Sequence, residues 1–185
     1  MSADEVTAIA TCAIALATTL GIGIAALGLK TWRAQLEGSA QFDLARRLLL
    51  EVYRLRDAVE GLRSPMMLKS EAAGANQEMP WEVAAYERRW QRILDAQAPL
   101  DVCLYEAQIL WGDEVRGLAH QLAKQTRTLF LAVSAFARSK HAEGEALSDD
   151  QRDVLYAGMG KDTFKLELED IVGRIEEYLR PHLPL

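Results

Sequence analysis

Residues 6–29 read VTAIATCAIALATTLGIGIAALGL, 24 residues without a charged side chain, between Asp4-Glu5 on one side and Lys30 on the other. As a helix rising about 1.5 Å per residue, the run covers about 36 Å. That is enough to cross a hydrocarbon core of about 30 Å with some tilt. The flanks argue against a cleaved secretory signal. Such signals open with basic residues and have an apolar stretch of roughly 7–15 residues, whereas here the leading charges are acidic and the run is longer. The expected fold is therefore all-α: a single N-terminal transmembrane helix within residues 1–30, continuing into a cytoplasmic four-helix-type bundle over residues 31–185.

Charge sets the expected orientation. All 21 basic residues follow the span, beginning with Lys30, Arg33, Arg46 and Arg47. The positive-inside rule then puts the N-terminus outside and the C-terminal domain in the cytoplasm. Lys30, Trp32 and Arg33 are the expected membrane-interface anchors, with the Trp32 ring at the headgroup level.

The span holds seven Ala, four Thr and three Gly against nine Leu, Ile and Val. Successive residues of a helix are placed about 100° apart. On that spacing Thr7, Thr11, Thr18, Gly21, Ala25 and Gly28 gather on one side, while Ile9, Leu16, Leu20 and Leu27 face the other. The larger side chains suit lipid; the small ones, including the small-xxx-small pair Gly21 and Ala25, suit close approach of a second backbone. Self-association is the expectation, with a lipid bilayer and an unidentified cytosolic protein as further partners. A ring of copies with the threonines lining a pore is the alternative.

After the span the sequence keeps helical periodicity. Residues 30–63 place Phe42, Ala45, Leu48 or Leu49, Val52, Leu55 and Val59 at three and four, with Asp43, Arg47 and Glu51 set for i,i+4 pairs, and Pro65 beyond the end. Residues 64–80 show no periodicity and read as a loop. From Trp81, the residues Tyr86, Trp90, Ile93, Gln97, Leu100, Leu104, Ala107 and Trp111 form a seam, crossed by Pro99, which is expected to kink the helix. Gly112 closes it. Asp113 is the expected N-cap of a helix running to about His141 on Val115, Leu118, Leu122, Leu129, Val133 and Phe136. Ser148 to Gln151 is a capping-box pattern for a short helix ended by Gly158 and Gly160. Asp162 or Thr163 starts a last helix with Phe164, Leu168, Ile171, Ile175 and Leu179 inward.

The 27 acidic residues less Asp4 and Glu5 leave the part after the span mildly acidic, which gives no support for duplex nucleic acid as a partner. His120, His141 and His182 stand in no zinc spacing. Cys12 and Cys103 are too far apart in sequence to suggest a ligand set, and no phosphate-loop or nucleophile-elbow motif occurs. No cofactor, metal site or catalytic residue is expected, and the protein is read as non-enzymatic. Two charged clusters remain. Arg54, Arg56 and Asp57 beside Tyr53 read as interhelical or partner contacts, with Glu106 as the expected partner of Arg56. Glu87 to Arg92 reads as a solvated basic stripe beside Trp90, with anionic lipid or single-stranded RNA as its alternative contacts.

The segments TWRAQLEGSAQFDLARRLLLEVYRLRDAVEGLRSP (31–65), YERRW (86–90) and EAQILWG (106–112) resemble a bacterial family of uncharacterised single-pass membrane proteins. In that family the anchor leads into a WRxQL…ARxLL…YxLRDA helix. The resemblance implies the architecture and brings no activity with it. At the level of layout the chain is also similar to HEPN-like membrane accessory proteins of type VI CRISPR systems, which implies antiphage defence, an oligomeric pore or a ribonuclease. HEPN nucleases carry Arg and His separated by four to six residues. Arg116-Gly-Leu-Ala-His120 has three, so a nuclease site here would be degenerate.

Overall fold

The computed structural model describes residues 3–74, 78–140, 146–157 and 162–183, with side chains throughout except at 3–10, 12–14 and 34. The expectations placed on the Thr7 side chain and on His141, Gly158 and Gly160 lie outside these residues. Among the described residues the structure is all helical, without strands. Its helices are α1 (Ala3–Arg63), α2 (Trp81–Trp111), α3 (Asp113–Ser139), α4 (Asp149–Leu155) and α5 (Thr163–Leu179), with short 3₁₀ turns at Lys69–Ala72 and Arg180–His182.

The chain forms two compact units, Met1–Asp43 and Leu44–Leu185. The division follows packing: among the described residues the first two buried ones are Leu44 and Ala45. In the first unit every described side chain from Ala15 to Ala40 is exposed. Leu16, Leu20, Ile22, Ile24 and Leu27 each keep about two thirds of their surface. One helix among the described residues is thus long and apolar enough to cross a membrane.

In the second unit, Leu44, Leu48, Val52, Leu55, Val59 and Leu62 of α1 are buried, a stripe at steps of four and three. Side-chain contacts fix how the other helices run. Arg47 bonds Glu106 while Arg89 reaches Leu62, so α2 is antiparallel to this part of α1. Tyr53 bonds Glu176 and Arg63 bonds Asp162, so α5 is antiparallel to it as well. Tyr86 packs edge-on against Phe136 at 4.7 Å and Trp90 against Phe130 at 5.2 Å, which makes α2 and α3 an antiparallel pair. Gln121 and Gln125 of α3 bond Arg174 and Glu167 of α5.

Local signals placed the starts of α4 and α5, whereas α3 departs from expectation: its N-cap is Gly112, and Asp113 is already the first helical residue. Ser148 Oγ accepts from the Gln151 N–H at 3.2 Å and Gln151 returns to the Ser148 N–H at 3.0 Å, a complete capping box opening α4. Asp162 accepts from the Lys165 N–H at 2.9 Å and caps α5, whose five expected inward residues are all buried. Helix α2 runs unbroken through an exposed Pro99.

The α2 seam requires correction. Its buried residues include Tyr86, Arg89, Ile93, Ala96, Leu100, Cys103 and Ala107, again at steps of three and four. The expected seam shares every second member, but Trp90, Gln97, Leu104 and Trp111 are only half-buried and the core takes the residue before each of the first three. Arg89, assigned to a solvated stripe, therefore lies inside. The stretch read as a loop also holds more order than expected over residues 64–74, for the 3₁₀ turn at Lys69–Ala72 packs on α2.

Candidate functional site

The small-residue stripe of α1 lies open. Thr11, Thr18, Gly21, Ala25 and Gly28 are exposed, and a methyl group built on Gly21, Gly23 or Gly28 would meet nothing within 4 Å. Among the other threonines, Thr19 donates to the Ala15 carbonyl at 2.8 Å and Thr31 to that of Leu27 at 3.0 Å, so hydroxyls here bond their own helix. Lys30, Trp32 and Arg33 are all exposed at the end of the apolar run.

The second unit rearranges the expected contact cluster. Arg56 does not reach Glu106. Its Nε and Nη2 donate to Asp57 at 3.0 and 2.7 Å, with the guanidinium 4.8 Å above the Tyr53 ring. Arg54 pairs with Glu51 at 2.6 Å. Glu106 takes Arg47 instead, at 2.8 Å, so Arg47 turns from its expected helical neighbours to another helix. The interhelical member of the cluster is Tyr53, whose hydroxyl donates to Glu176 at 2.8 Å. Burial, then the Glu176 carboxylate, raises that phenol above its ordinary value.

Two buried arginines escaped the sequence reading. Arg89 uses all five guanidinium N–H groups. Nε and Nη2 grip Glu71 at 2.6 and 2.8 Å, Nη1 donates to the carbonyls of Leu62 and Ser64, and Nη2 also donates to that of Met66. It thereby supplies donors to carbonyls at and just beyond the end of α1, some of which a helix leaves unsatisfied. Arg63 does the same for α4. It donates to the Asp153 and Val154 carbonyls at 3.0 and 2.7 Å, pairs with Asp162 at 2.7 Å, and lies over the Phe164 ring. A local sequence signal for either arginine is lacking, because both sets of partners arrive from distant or aperiodic segments.

A groove of about 420 Å³ separates α2 from α3. Asp101 and Tyr105 line one wall, Arg116 and His120 the other. The two residues of the degenerate HEPN-like pattern thus share one cleft. At the end of this helix pair, Trp111 stacks on His182 at 4.4 Å, and its buried indole Nε1 has no hydrogen-bond partner among the described residues. Cys103 is a free, buried thiol, raised by burial more than by neighbouring charges. Among the described residues no group of three His, Cys, Asp or Glu is placed to hold a metal ion.

Compared with models of protein families, with curated proteins and with solved structures, the chain matches none.

Proposed function

We propose that this chain is a non-enzymatic, membrane-anchored helical protein that self-associates and presents a cytoplasmic interaction surface. In this reading α1 crosses a bacterial inner membrane once, N-terminus outside, and residues beyond the span build a four-helix-type bundle from α1, α2, α3 and α5. The observation that carries it is the apolar run of α1. Its described side chains are exposed from Ala15 to Leu29, with small residues gathered on one side and open space above Gly21 and Gly28 among the described residues. So much apolar surface is stable in lipid and unfavourable in water, and small residues let helices approach closely in a bilayer. The mechanism is avidity: copies held together in the membrane raise the local concentration of their cytosolic surfaces.

The test is the mass of the full chain in nanodiscs beside that of the Gly21→Leu, Ala25→Leu variant, with extraction by alkaline carbonate run in parallel. A carbonate-resistant oligomer that falls apart in the variant supports the reading. Release by carbonate removes the anchor, and an unchanged mass removes the stripe.

A second reading is a ribonuclease with a degenerate HEPN-like site, favoured by Arg116 and His120 lining one groove beside Asp101. RNA cleavage by the purified chain that vanishes in the Arg116→Ala, His120→Ala variant supports it. Absence of cleavage, or cleavage that survives the pair, excludes it.

A further inference from the structure

Helix α2 carries a second apolar stripe that faces away from the core. Leu94, Ala98, Val102, Tyr105 and Ile109 recur at four, four, three and four, and all are exposed, Tyr105 by 69% and Ile109 by 84%. At about 100° per residue they occupy one narrow arc opposite Leu100, Cys103 and Ala107. At about 1.5 Å per residue the stripe is some 22 Å long. A lone exposed Leu needs no explanation, but a stripe of this periodicity has the pattern of a helix-packing seam.

Its borders carry opposite charges. Asp101 stands at the α2 edge of the groove, and Arg116 and His120 stand on α3 across it. The heights match. Counting eleven residues on from Trp90 and eleven back from its contact Phe130 brings Asp101 level with Ala119, next to His120 and within a helical turn of Arg116. Among the described residues none forms an ion pair with Asp101, Arg116 or His120. Burial alone raises the Asp101 carboxyl.

We infer that this face is where a second copy of the chain docks, α2 of each copy lying over the groove of the other with Asp101 of each set against Arg116 and His120 of the other. The face carries its own complement, an acid on one helix and bases at the same level on the other, as an isologous two-fold contact requires. An anionic membrane or RNA would instead meet Asp101 and an apolar stripe. A two-fold axis parallel to the helices also leaves Leu44 at the same end of both copies, as two copies anchored in one bilayer need; that direction rests on the membrane reading above.

The experiment uses the full chain in detergent micelles, with Tyr105 replaced by the photocrosslinker p-benzoylphenylalanine. Irradiation is expected to give a covalent dimer whose attachment points lie within residues 98–123 of the second copy. Asp101→Arg alone and Arg116→Asp alone each set like charges across the contact and should cut the dimer yield about tenfold or more. Arg116 is exposed and Asp101 half-buried at the groove edge, and circular dichroism checks that each variant keeps its helices. Mixing the two variants pairs opposite charges at both places and should restore the yield, which a contact within one copy cannot do. No covalent dimer, attachment elsewhere, yields indifferent to either reversal, or no recovery on mixing would each overturn the inference. The crosslink is repeated on Gly21→Leu, Ala25→Leu: its persistence there, whatever happens to the carbonate-resistant fraction, assigns it to this face and not to the span.

Discussion

Arg89 and Glu71 close a two-pronged ion pair at 2.6 and 2.8 Å, and the same guanidinium holds three carbonyls where α1 ends. Truncating Arg89 would leave the Glu71 carboxylate with the Leu68 N–H but without its cation, and would take a donor from each of three carbonyls, in a site where the arginine itself is 4% exposed. Breaking a buried pair from one side costs about 3–5 kcal/mol. Arg89→Ala should therefore be strongly destabilising in urea denaturation followed by near-ultraviolet circular dichroism. Arg89→Lys should recover little, because an ammonium cannot make a planar two-pronged contact while reaching three carbonyls.

The same pair predicts an acid limb. Hydrogen bonds from Arg89, ahead of the opposing effect of burial, hold the Glu71 carboxyl at about 2, below its ordinary 4.5. A carboxyl that titrates lower in the folded than in the unfolded chain contributes stability above the unfolded value. That contribution is lost as pH falls toward the folded one. The difference is worth about 3 kcal/mol at neutral pH, and it should drain away between about pH 5 and pH 2. Glu71→Gln should be less stable at pH 7 and should show a flatter stability profile across that window. A variant with the same acid limb as the parent would place the titration elsewhere.

What the sequence revealed and what it hid divide by distance along the chain. The Ser148–Gln151 box and the Asp162 cap are legible because both partners lie within one turn. The α1 stripe from Leu48 to Val59 is legible because large apolar residues mark it. In α2, two seams offset by one residue share Tyr86, Ile93, Leu100 and Ala107. The intervening choice fell on Trp90, Gln97 and Leu104 over Arg89, Ala96 and Cys103. Trp90 looks like core but lies half-buried against Phe130. Arg89 looks like surface, because its acid is 18 residues upstream in a stretch without periodicity. The outward stripe from Leu94 to Ile109 was hidden by the same rotation.

Gly112 is the one residue between α2 and α3, at φ 83° and ψ −158°, a region essentially reserved for glycine. A methyl group there would touch nothing within 4 Å, so steric fit does not enter. Gly112→Ala should still cost about 1–3 kcal/mol through backbone strain alone. Gly117→Ala, on an exposed turn of α3 with equal open space, should be neutral or slightly stabilising through helix propensity. Thermal melts of the two variants side by side check the contrast.

Double-mutant cycles separate the pairing expected from sequence from the one observed. Tyr53 donates to Glu176 from a half-buried position, so a Tyr53→Phe, Glu176→Gln cycle should return a coupling of about 1 kcal/mol. Arg56 is engaged by its neighbour Asp57 and Glu106 by Arg47, so an Arg56→Ala, Glu106→Ala cycle should return none. The Arg47→Ala, Glu106→Ala cycle lies between: both side chains keep roughly half their exposure, and such surface pairs contribute about 0.2–1 kcal/mol, less at high salt. Measured in denaturant at low and high ionic strength, the coupling should be largest for Tyr53 and Glu176, smaller for Arg47 and Glu106 and absent for Arg56 and Glu106, with only the Arg47–Glu106 coupling shrinking as salt is added. A substantial coupling between Arg56 and Glu106 would mean that α1 meets α2 in a different rotation from the one described.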